Sequence, residues 1–355
     1  FPPVVPGTQF VTVGGAVAND IHGKNHHVDG SFGDHIRRVE LMTAAGDIVM
    51  CDAETEPELF WATVGGLGLT GIILALDLKL QPIAGPNLEV ESIRTECLDD
   101  FFTVNAESAE YTHTVTWIDS VTTGKSMGRG IFMRGRHAPA GSQANGGLIS
   151  AVGAALTPFL DVPFDAPNWA MNGLTMKMFN ATYFRKHPRG KRESTAHYEP
   201  FFFPLDFVRN WNKIYGSRGM LQYQLVVPQD STNAAIREVL DTVTKAGMAS
   251  FLSVIKEFGS TAHPGLSFPR PGITLALDFP NFGDRLYGML TRLDDIVAAA
   301  GGRVYLGKDA RLSKEHFRRM YPQWEDWRAV RDQWDPGHVF QSDLGRRLGL
   351  SGTKS

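Results

Sequence analysis

Cysteine is nearly absent: Cys51 and Cys97 are the only two in 355 residues, far apart and without CxxC or metal-ligand spacing. A disulfide framework is therefore excluded as an organising principle. No apolar run reaches the roughly 18 residues of a membrane-spanning helix, and no signal-peptide pattern is visible. Residues 6–35, the most glycine-rich candidate for an anion loop, hold no G-x-x-x-x-G-K-[ST] and no G-x-G-x-x-G opening a βαβ unit, so neither of the two commonest phosphate-cradling signatures applies there. A net charge of −3 leaves no electrostatic footprint for nucleic acid. His26-His27 stands without further Cys, His or carboxylate at ligand spacing, and no metal is expected.

What is present is an ordinary globular composition, 43% hydrophobic and 21% charged, long enough for two domains and a sizeable core. The richest stretch is PGTQFVTVGGAVANDIHGKNHHVDGSFGDH, residues 6–35, with six glycines and four of the eleven histidines. Val11 and Val13 suit a short extended piece, and Gly14-Gly15 lets the backbone pass close to a ligand. Ala16, Val17 and Ala18 suit a packed turn or first helical turn. Asn19 to Lys24 then gathers polar side chains and amides, either a concave nest for an anion such as pyrophosphate or a surface loop with solvated histidines.

Residues 36–80 read as strand, turn, strand, helix, strand. Ala45-Gly46-Asp47 is a hairpin turn signal, and the helix over 56–62 has Thr55 as expected cap and Pro57 in its first turn. VGGLGLTGII, residues 64–73, is either a tight helix–strand junction or a place where glycines admit a ligand. Strands around a short helix follow over 89–136, with TVTWID a clear strand. From Gly141 to Arg192 no periodicity is apparent, and two readings stay open. One is a helical hairpin over the core. The other is a flexible lid over 148–191, whose Leu160, Phe164, Trp169, Met176, Met178 and Phe179 face a lipid chain or membrane, with the basic run 185–192 at anionic headgroups.

Strand 220–228 alternates, Gln222 and Gln224 on one face and Leu221, Tyr223 and Leu225 on the other. Two glutamines on one face need polar partners, which is unusual for a core face. Amphipathic helices over 231–245 and 282–300 interleave with strands near 251–258, 273–279 and 303–307, the last two strand regions carrying Asp278 and, at its end, Lys308. That order predicts an α+β domain with an antiparallel sheet and helices on one face. From Leu312 the chain is helical.

TVGGAVANDIHGKNHHVDGSFGDH resembles the second flavin-binding segment of the vanillyl-alcohol-oxidase-like FAD oxidoreductases. Within them DIHGKNHH resembles the decaprenylphosphoryl-β-D-ribose oxidase family. The likeness continues in register through ELFWATVGGLGLTGII, LQYQLVVP, PGITLALDFP, GGRVYLGKDAR and FQSDLGRRLGL, so it covers nearly the whole chain. It implies a two-domain PCMH-type flavoprotein fold: residues 1–85 as the second part of an FAD domain whose first half precedes Phe1, 86–311 as the substrate domain, and 312–355 as a helical segment returning to the FAD domain.

The same resemblance implies non-covalently held FAD and oxidation of the 2′-hydroxyl of a polyprenyl-phosphoryl ribose, with a separate NAD(P)H-dependent keto-reductase completing the epimerisation towards an arabinose donor for cell-wall arabinan. A periplasmic or cell-envelope location at the membrane goes with it. Alternatives are an aldonolactone or alditol oxidase with a soluble substrate, and a non-catalytic lipid- or partner-binding fragment. By carry-over, Lys308, Tyr305 and His22 are the catalytic candidates; Lys24, Trp117, Gln222, Gln224, Lys256, Thr274 and Ala276 meet substrate. Gly7, Thr12, Val13, Gly14, Gly15, Asn19, Asp20, Ile21, His22, Ile73 and Tyr305 are the implied FAD contacts. Tyr305 and Lys308 lie three apart in YLGK, so Gly307 has to bend the chain for both to reach one pocket. Two positions depart from the family: Thr274 stands for a common Asn, and Ala276 for the Cys that covalent nitroaromatic inhibitors attack.

Overall fold

The computed structural model describes residues 1–145, 160–167, 173–248, 250 and 252–352. The N-terminal part is built on a three-stranded antiparallel sheet of β1 (Ile36–Met42), β2 (Ile48–Cys51) and β3 (Ile72–Leu78), in the order β2-β1-β3. The expected turn joins β1 to β2: Gly46 has a φ of +89°, and the Thr43 amide donates to the Asp47 carbonyl at 2.9 Å. The helix Pro57–Thr63 follows. Thr55 does not cap it, because its amide is held by the Asp52 carboxylate at 2.7 Å and Glu56 takes the cap position in the left-handed region. Val39 and Leu41 of β1 pack with Leu59 and Phe60 of this helix and with Ala16 and Val17 ahead of it.

The second part is an eight-stranded antiparallel sheet. Its strands are β4 (Asn87–Thr95), β5 (His113–Ile118), β6 (Gly130–His137), β8 (Lys191–His197), β10 (Met220–Val227), β11 (Ser253–Phe258), β12 (Gly272–Pro280) and β13 (Arg303–Val304), in the order β13-β10-β12-β11-β5-β6-β4-β8. The two-residue strands β7 (Leu160–Asp161) and β9 (Val208–Arg209) pair in parallel beside it. Period-two alternation gives this sheet two unlike faces. Tyr223, Leu225 and Val227 of β10 and Ile273, Leu275, Leu277 and Phe279 of β12 face the helices Thr232–Lys245 and Asp284–Ala299, whose Ile236, Val239, Leu240, Leu290 and Leu293 complete the main core. The in-between residues form the opposite face, which carries the site.

Residues 312–352 are helical as expected, and Trp327 of the helix Trp324–Trp334 donates its indole N–H to the Ala62 carbonyl at 2.8 Å, fastening this segment to the first part. Of the expected lid, residues 148–159 and 168–172, Trp169 among them, lie outside the described residues. The absence of periodicity is corrected over Gly173–Lys186, a 14-residue helix. Its buried stripe is Met176, Asn180 and Phe184, and the polar Asn180 in the middle hides the pattern. Asn180 is there because its amide donates to the buried Asp119 carboxylate at 2.9 Å, while Phe184 lies under the guanidinium groups of Arg94 and Arg129 at 4.0 and 4.5 Å. The basic run straddles this helix's end and β8, where Lys191 pairs with Glu91 at 3.1 Å. Among the described residues no helix is long and apolar enough to cross a membrane.

Candidate active site

One cavity of about 1530 Å³ runs between the open face of the large sheet and residues 5–24. Strand parity and register decide what lines it. On β12, Thr274, Ala276 and Asp278 point in; on β10, Gln222 lies opposite Asp278 and Gln224 opposite Ala276. On β11, Lys256 is opposite Thr274 and Val254 opposite Ala276, and Val254 in turn faces Trp117 of β5. Ser92 of β4 and Arg192 of β8 extend the row to the sheet edge. All ten residues expected to act in catalysis or substrate contact line this one cavity, eight of them from the sheet side and His22 and Lys24 from the segment that covers it.

Residues 12–24 cover this wall. Val13 is not extended but opens a short helix, Val13–Ala18, whose cap Thr12 accepts from the Gly15 amide at 3.1 Å. After it the chain reverses at Asp20, a non-glycine residue in the left-handed region with a φ of +39°. That conformation is held by its fully buried carboxylate, which accepts from the Gly33 amide at 2.9 Å and the Ser267 hydroxyl at 2.5 Å. Asp20 therefore turns inward and away from the cavity, and its burial pushes its pKa up. His22 and Lys24 then project into the cavity. Of the implied FAD contacts, Gly7, Thr12, Gly15, Asn19, Ile21, His22 and Tyr305 line the cavity, whereas Val13, Gly14, Asp20 and Ile73 do not. A Cβ on Gly14 would meet Ile73 at 3.9 Å, so those two pack on each other behind the wall.

Tyr305 and Lys308 meet in the pocket by a device other than a strand bend. β13 stops at Val304, and Leu306–Lys308 is a 3₁₀ turn that swings Lys308 back beside Tyr305. The Tyr305 amide donates to the Gln224 carbonyl at 2.8 Å and its hydroxyl to the Asn19 carbonyl at 3.1 Å, so this ring ties sheet to cover. It stacks on Phe268 at 4.6 Å, and His22 sits against Phe258 at 4.8 Å and Tyr305 at 5.6 Å.

His22 is the hub of a polar chain. Its Nε2 is 2.9 Å from Gln224 Nε2, and its Nδ1 is 3.0 Å from Lys256 Nζ. Gln224 Nε2 also donates to Thr274 Oγ1 at 3.0 Å, and that hydroxyl spends its proton on the Leu225 carbonyl at 2.8 Å. With the Gln224 amide nitrogen as donor, Nε2 of a neutral imidazole accepts and Nδ1 carries the proton. Nδ1–H then needs an acceptor, which Lys256 supplies only as a neutral amine. Desolvation first, then the charges of Lys24 and Lys308, hold the Lys256 pKa well below the ordinary value. Desolvation followed by Lys256 and Lys308 does the same to His22, which stays neutral.

Cations outnumber anions on the wall. Burial brings Lys24 down to about 7, though its ammonium donates to the Phe202 carbonyl at 3.0 Å and lies over the rings of Phe201 and Phe202. Lys308 is also lowered by desolvation, opposed by the nearby charge of Asp278. Asp278, 2% exposed, is pushed up to about 6 by desolvation, opposed by Lys308 and a hydrogen bond from Gln222. Sequence reading missed Asp278 as a site residue. The signal was available, since its spacing of two and four from Ala276 and Thr274 puts all three on one strand face. Tyr183, which packs edge-on against Trp117 at 4.7 Å, had no comparable signal. Among the described residues no three His, Cys, Asp or Glu side chains could hold a metal.

Comparison with known proteins adds the family. Residues 1–52 match an FAD binding domain model, and residues 225–348 match the D-arabinono-1,4-lactone oxidase model. The chain is 38% identical to decaprenylphosphoryl-beta-D-ribose oxidase of Mycolicibacterium smegmatis over 98% of its own length and 76% of that protein's. It is 35% identical to an uncharacterized protein of Streptomyces coelicolor over 99% of its length and 96% of that protein's. L-gulono-1,4-lactone dehydrogenase of Mycobacterium tuberculosis is 23% identical over 38% of the chain and 33% of that protein. The large cavity, its flanking Tyr305 ring backed by Phe268 and its excess of buried amines fit a flat, electron-accepting anion-forming ring. Fold and site thus define an FAD-dependent oxidoreductase of the two-domain PCMH-type flavoprotein class. Within that class the chain belongs to the decaprenylphosphoryl-β-D-ribose oxidase family.

Proposed function

We propose that this protein oxidises the 2′-hydroxyl of a polyprenyl-phosphoryl-β-D-ribose to the 2′-keto sugar. The observation that carries the reading is the gathering of His22, Lys256, Gln222, Gln224, Tyr305 and Lys308 around one cavity large enough for a flavin and a sugar together. FAD, when bound, supplies the hydride acceptor. Gly7, Thr12, Gly15, Asn19 and Ile21 on the cover would hold it, with Tyr305 at its flank.

The remaining work falls to this chain's side chains. Lys308 has its ammonium form destabilised by burial, which suits its amine to take the proton of the reacting hydroxyl. Gln222, Gln224 and Trp117 orient the ring, Lys256 meets the substrate as a neutral amine, and Lys24 with Arg192 offers positive charge to the ligand's anionic part. The apolar side chains Leu174, Met178 and Phe179, exposed on the helix at the cavity's side, suit a lipid chain and a peripheral seat at the membrane in the periplasm or cell envelope. A separate NAD(P)H-dependent reductase would then reduce the keto group.

The test is anaerobic mixing of the FAD-loaded protein with a short-chain prenyl-phosphoryl-β-D-ribose. Bleaching of the flavin band together with a ketone two mass units below the substrate is expected, and no bleaching would refute the substrate. The match of 225–348 to the D-arabinono-1,4-lactone oxidase model favours a second reading, a soluble aldonolactone substrate. Bleaching by L-gulono-1,4-lactone but not by the prenyl riboside would establish it instead.

A further inference from the structure

Two buried oxygens on the cavity wall have no hydrogen-bond donor among the described residues: Oε1 of Gln224 and Oδ2 of Asp278. Both residues are 2% exposed. Buried acceptors are nearly always paired, so two orphans on one cavity wall call for a ligand that brings two donors. Their placement is regular. Gln224 faces Ala276 across the β10–β12 ladder, and Asp278 is the next residue on the same face of β12. Such diagonal neighbours have backbones roughly 7–8 Å apart, within reach of both side chains. The methyl of Ala276, small and apolar, leaves the space between them open.

While Lys256 is neutral, neither oxygen is free to turn away. Gln224 commits its amide nitrogen to Thr274 Oγ1 and His22 Nε2, which aims Oε1 at the cavity. Asp278 is fixed by the Gln222 hydrogen bond to its carboxylate and by its own amide, which donates to Ser250 Oγ at 2.9 Å. We propose that Gln224 and Asp278 form a two-acceptor clasp for a pair of neighbouring hydroxyl groups, so that this wall selects a diol. This rests on the sugar-oxidising reading above and sharpens it, naming the two residues that set which hydroxyls the ligand must carry. A pair of acceptors, one of them a carboxylate, also repels phosphate. The ligand's anionic part therefore lies elsewhere along the cavity, where Lys24 and Arg192 line it.

The test is calorimetric titration of the protein with cis-cyclopentane-1,2-diol against cyclopentanol, and with methyl β-D-ribofuranoside against its 2-deoxy and 3-deoxy analogues. Binding at least roughly tenfold tighter for each diol is expected, because every missing hydroxyl leaves a buried acceptor unpaired. In Asp278→Ala and in Gln224→Ala, discrimination against one deoxy analogue is lost while the other remains; Asp278→Asn serves if the alanine variant does not fold. Equal binding of diol and mono-alcohol by the parent protein overturns the clasp, as does unchanged discrimination in both variants. Preference for the cyclic diol without any riboside binding keeps the clasp and removes the ribosyl substrate.

Discussion

Nζ of Lys256 lies 3.0 Å from Nδ1 of His22, a contact between two nitrogens that needs a single proton between them. Lys256 also reaches the Gly23 carbonyl at 2.7 Å, which takes one of its hydrogens in either charge state. The charge on Lys256 therefore decides which imidazole nitrogen is protonated, and through it which way the Gln224 amide faces.

With the Lys256 pKa lowered by burial and by Lys24 and Lys308, the amine is neutral over a range where an ordinary lysine is charged. There His22 holds its proton on Nδ1. As pH falls through that lowered value, Lys256 becomes a donor only, Nδ1 becomes an acceptor, and the imidazole proton moves to Nε2 with reversal of the Gln224 amide. Imidazole ¹⁵N NMR should report this tautomer change in the parent protein and its loss in Lys256→Met. A single His22 tautomer at every pH where the protein is folded would sink the relay.

Lys308 is the next test. It lines the cavity beside Tyr305, within electrostatic reach of His22 and Lys256. Lys308→Ala should keep the flavin and lose substrate-driven bleaching by a factor on the order of 10² or more, the usual contribution of a positioned acid or base. Retained flavin with near-normal bleaching would remove Lys308 from the reaction.

How far the site could be read from sequence depended on local geometry. Alternation put Gln222 and Gln224 together correctly, since parity on a strand is a property of the chain alone. The same rule extended to β12 gives Asp278. Tyr305 and Lys308 were expected to meet through a bend at Gly307, and instead a 3₁₀ turn starting at Leu306 does it. The helix Gly173–Lys186 was illegible because its buried Asn180 answers Asp119, 61 residues away in sequence. Asp20 misled for a similar reason, because the partner that draws it inward, Ser267, is 247 residues distant.

Asp278 should also cost stability. Its pKa moves from 3.8 to about 6 on folding, so between those values the folded protein binds more protons than the unfolded chain. Stability therefore falls as pH rises through this window, and the penalty is fully present above about pH 6. Asp278→Asn keeps the shape and an acceptor for Gln222 while removing the charge. The ligand-free variant should gain on the order of 1–3 kcal/mol at pH 8 and clearly less at pH 4.5. Urea denaturation at both values measures it, and a loss of stability at pH 8 would show that Asp278 is not a buried, uncompensated carboxylate.

The final prediction concerns Ala276, which lies opposite Gln224 on one side and Val254 on the other, in the middle of the cavity wall. Attack on an activated nitroaromatic requires a thiolate, and an alanine methyl has neither charge nor lone pair. The two native thiols are poor substitutes. Cys51 is buried, pushed up to about 12 by desolvation and by Asp52 and Glu56, and neither it nor Cys97 lines the cavity. The parent protein should therefore resist inhibitors that bond covalently to a pocket cysteine while still binding its substrate. Ala276→Cys adds one sulfur to a position with open space above it, and a small buried thiol packs much as alanine does. Intact-mass and peptide analysis after incubation with a nitroaromatic under turnover should find one adduct within residues 272–280 of the variant and none there in the parent. An adduct on that segment of the parent, or its absence from the variant with flavin bound and reduced, would mean that β12 does not face the reacting ring.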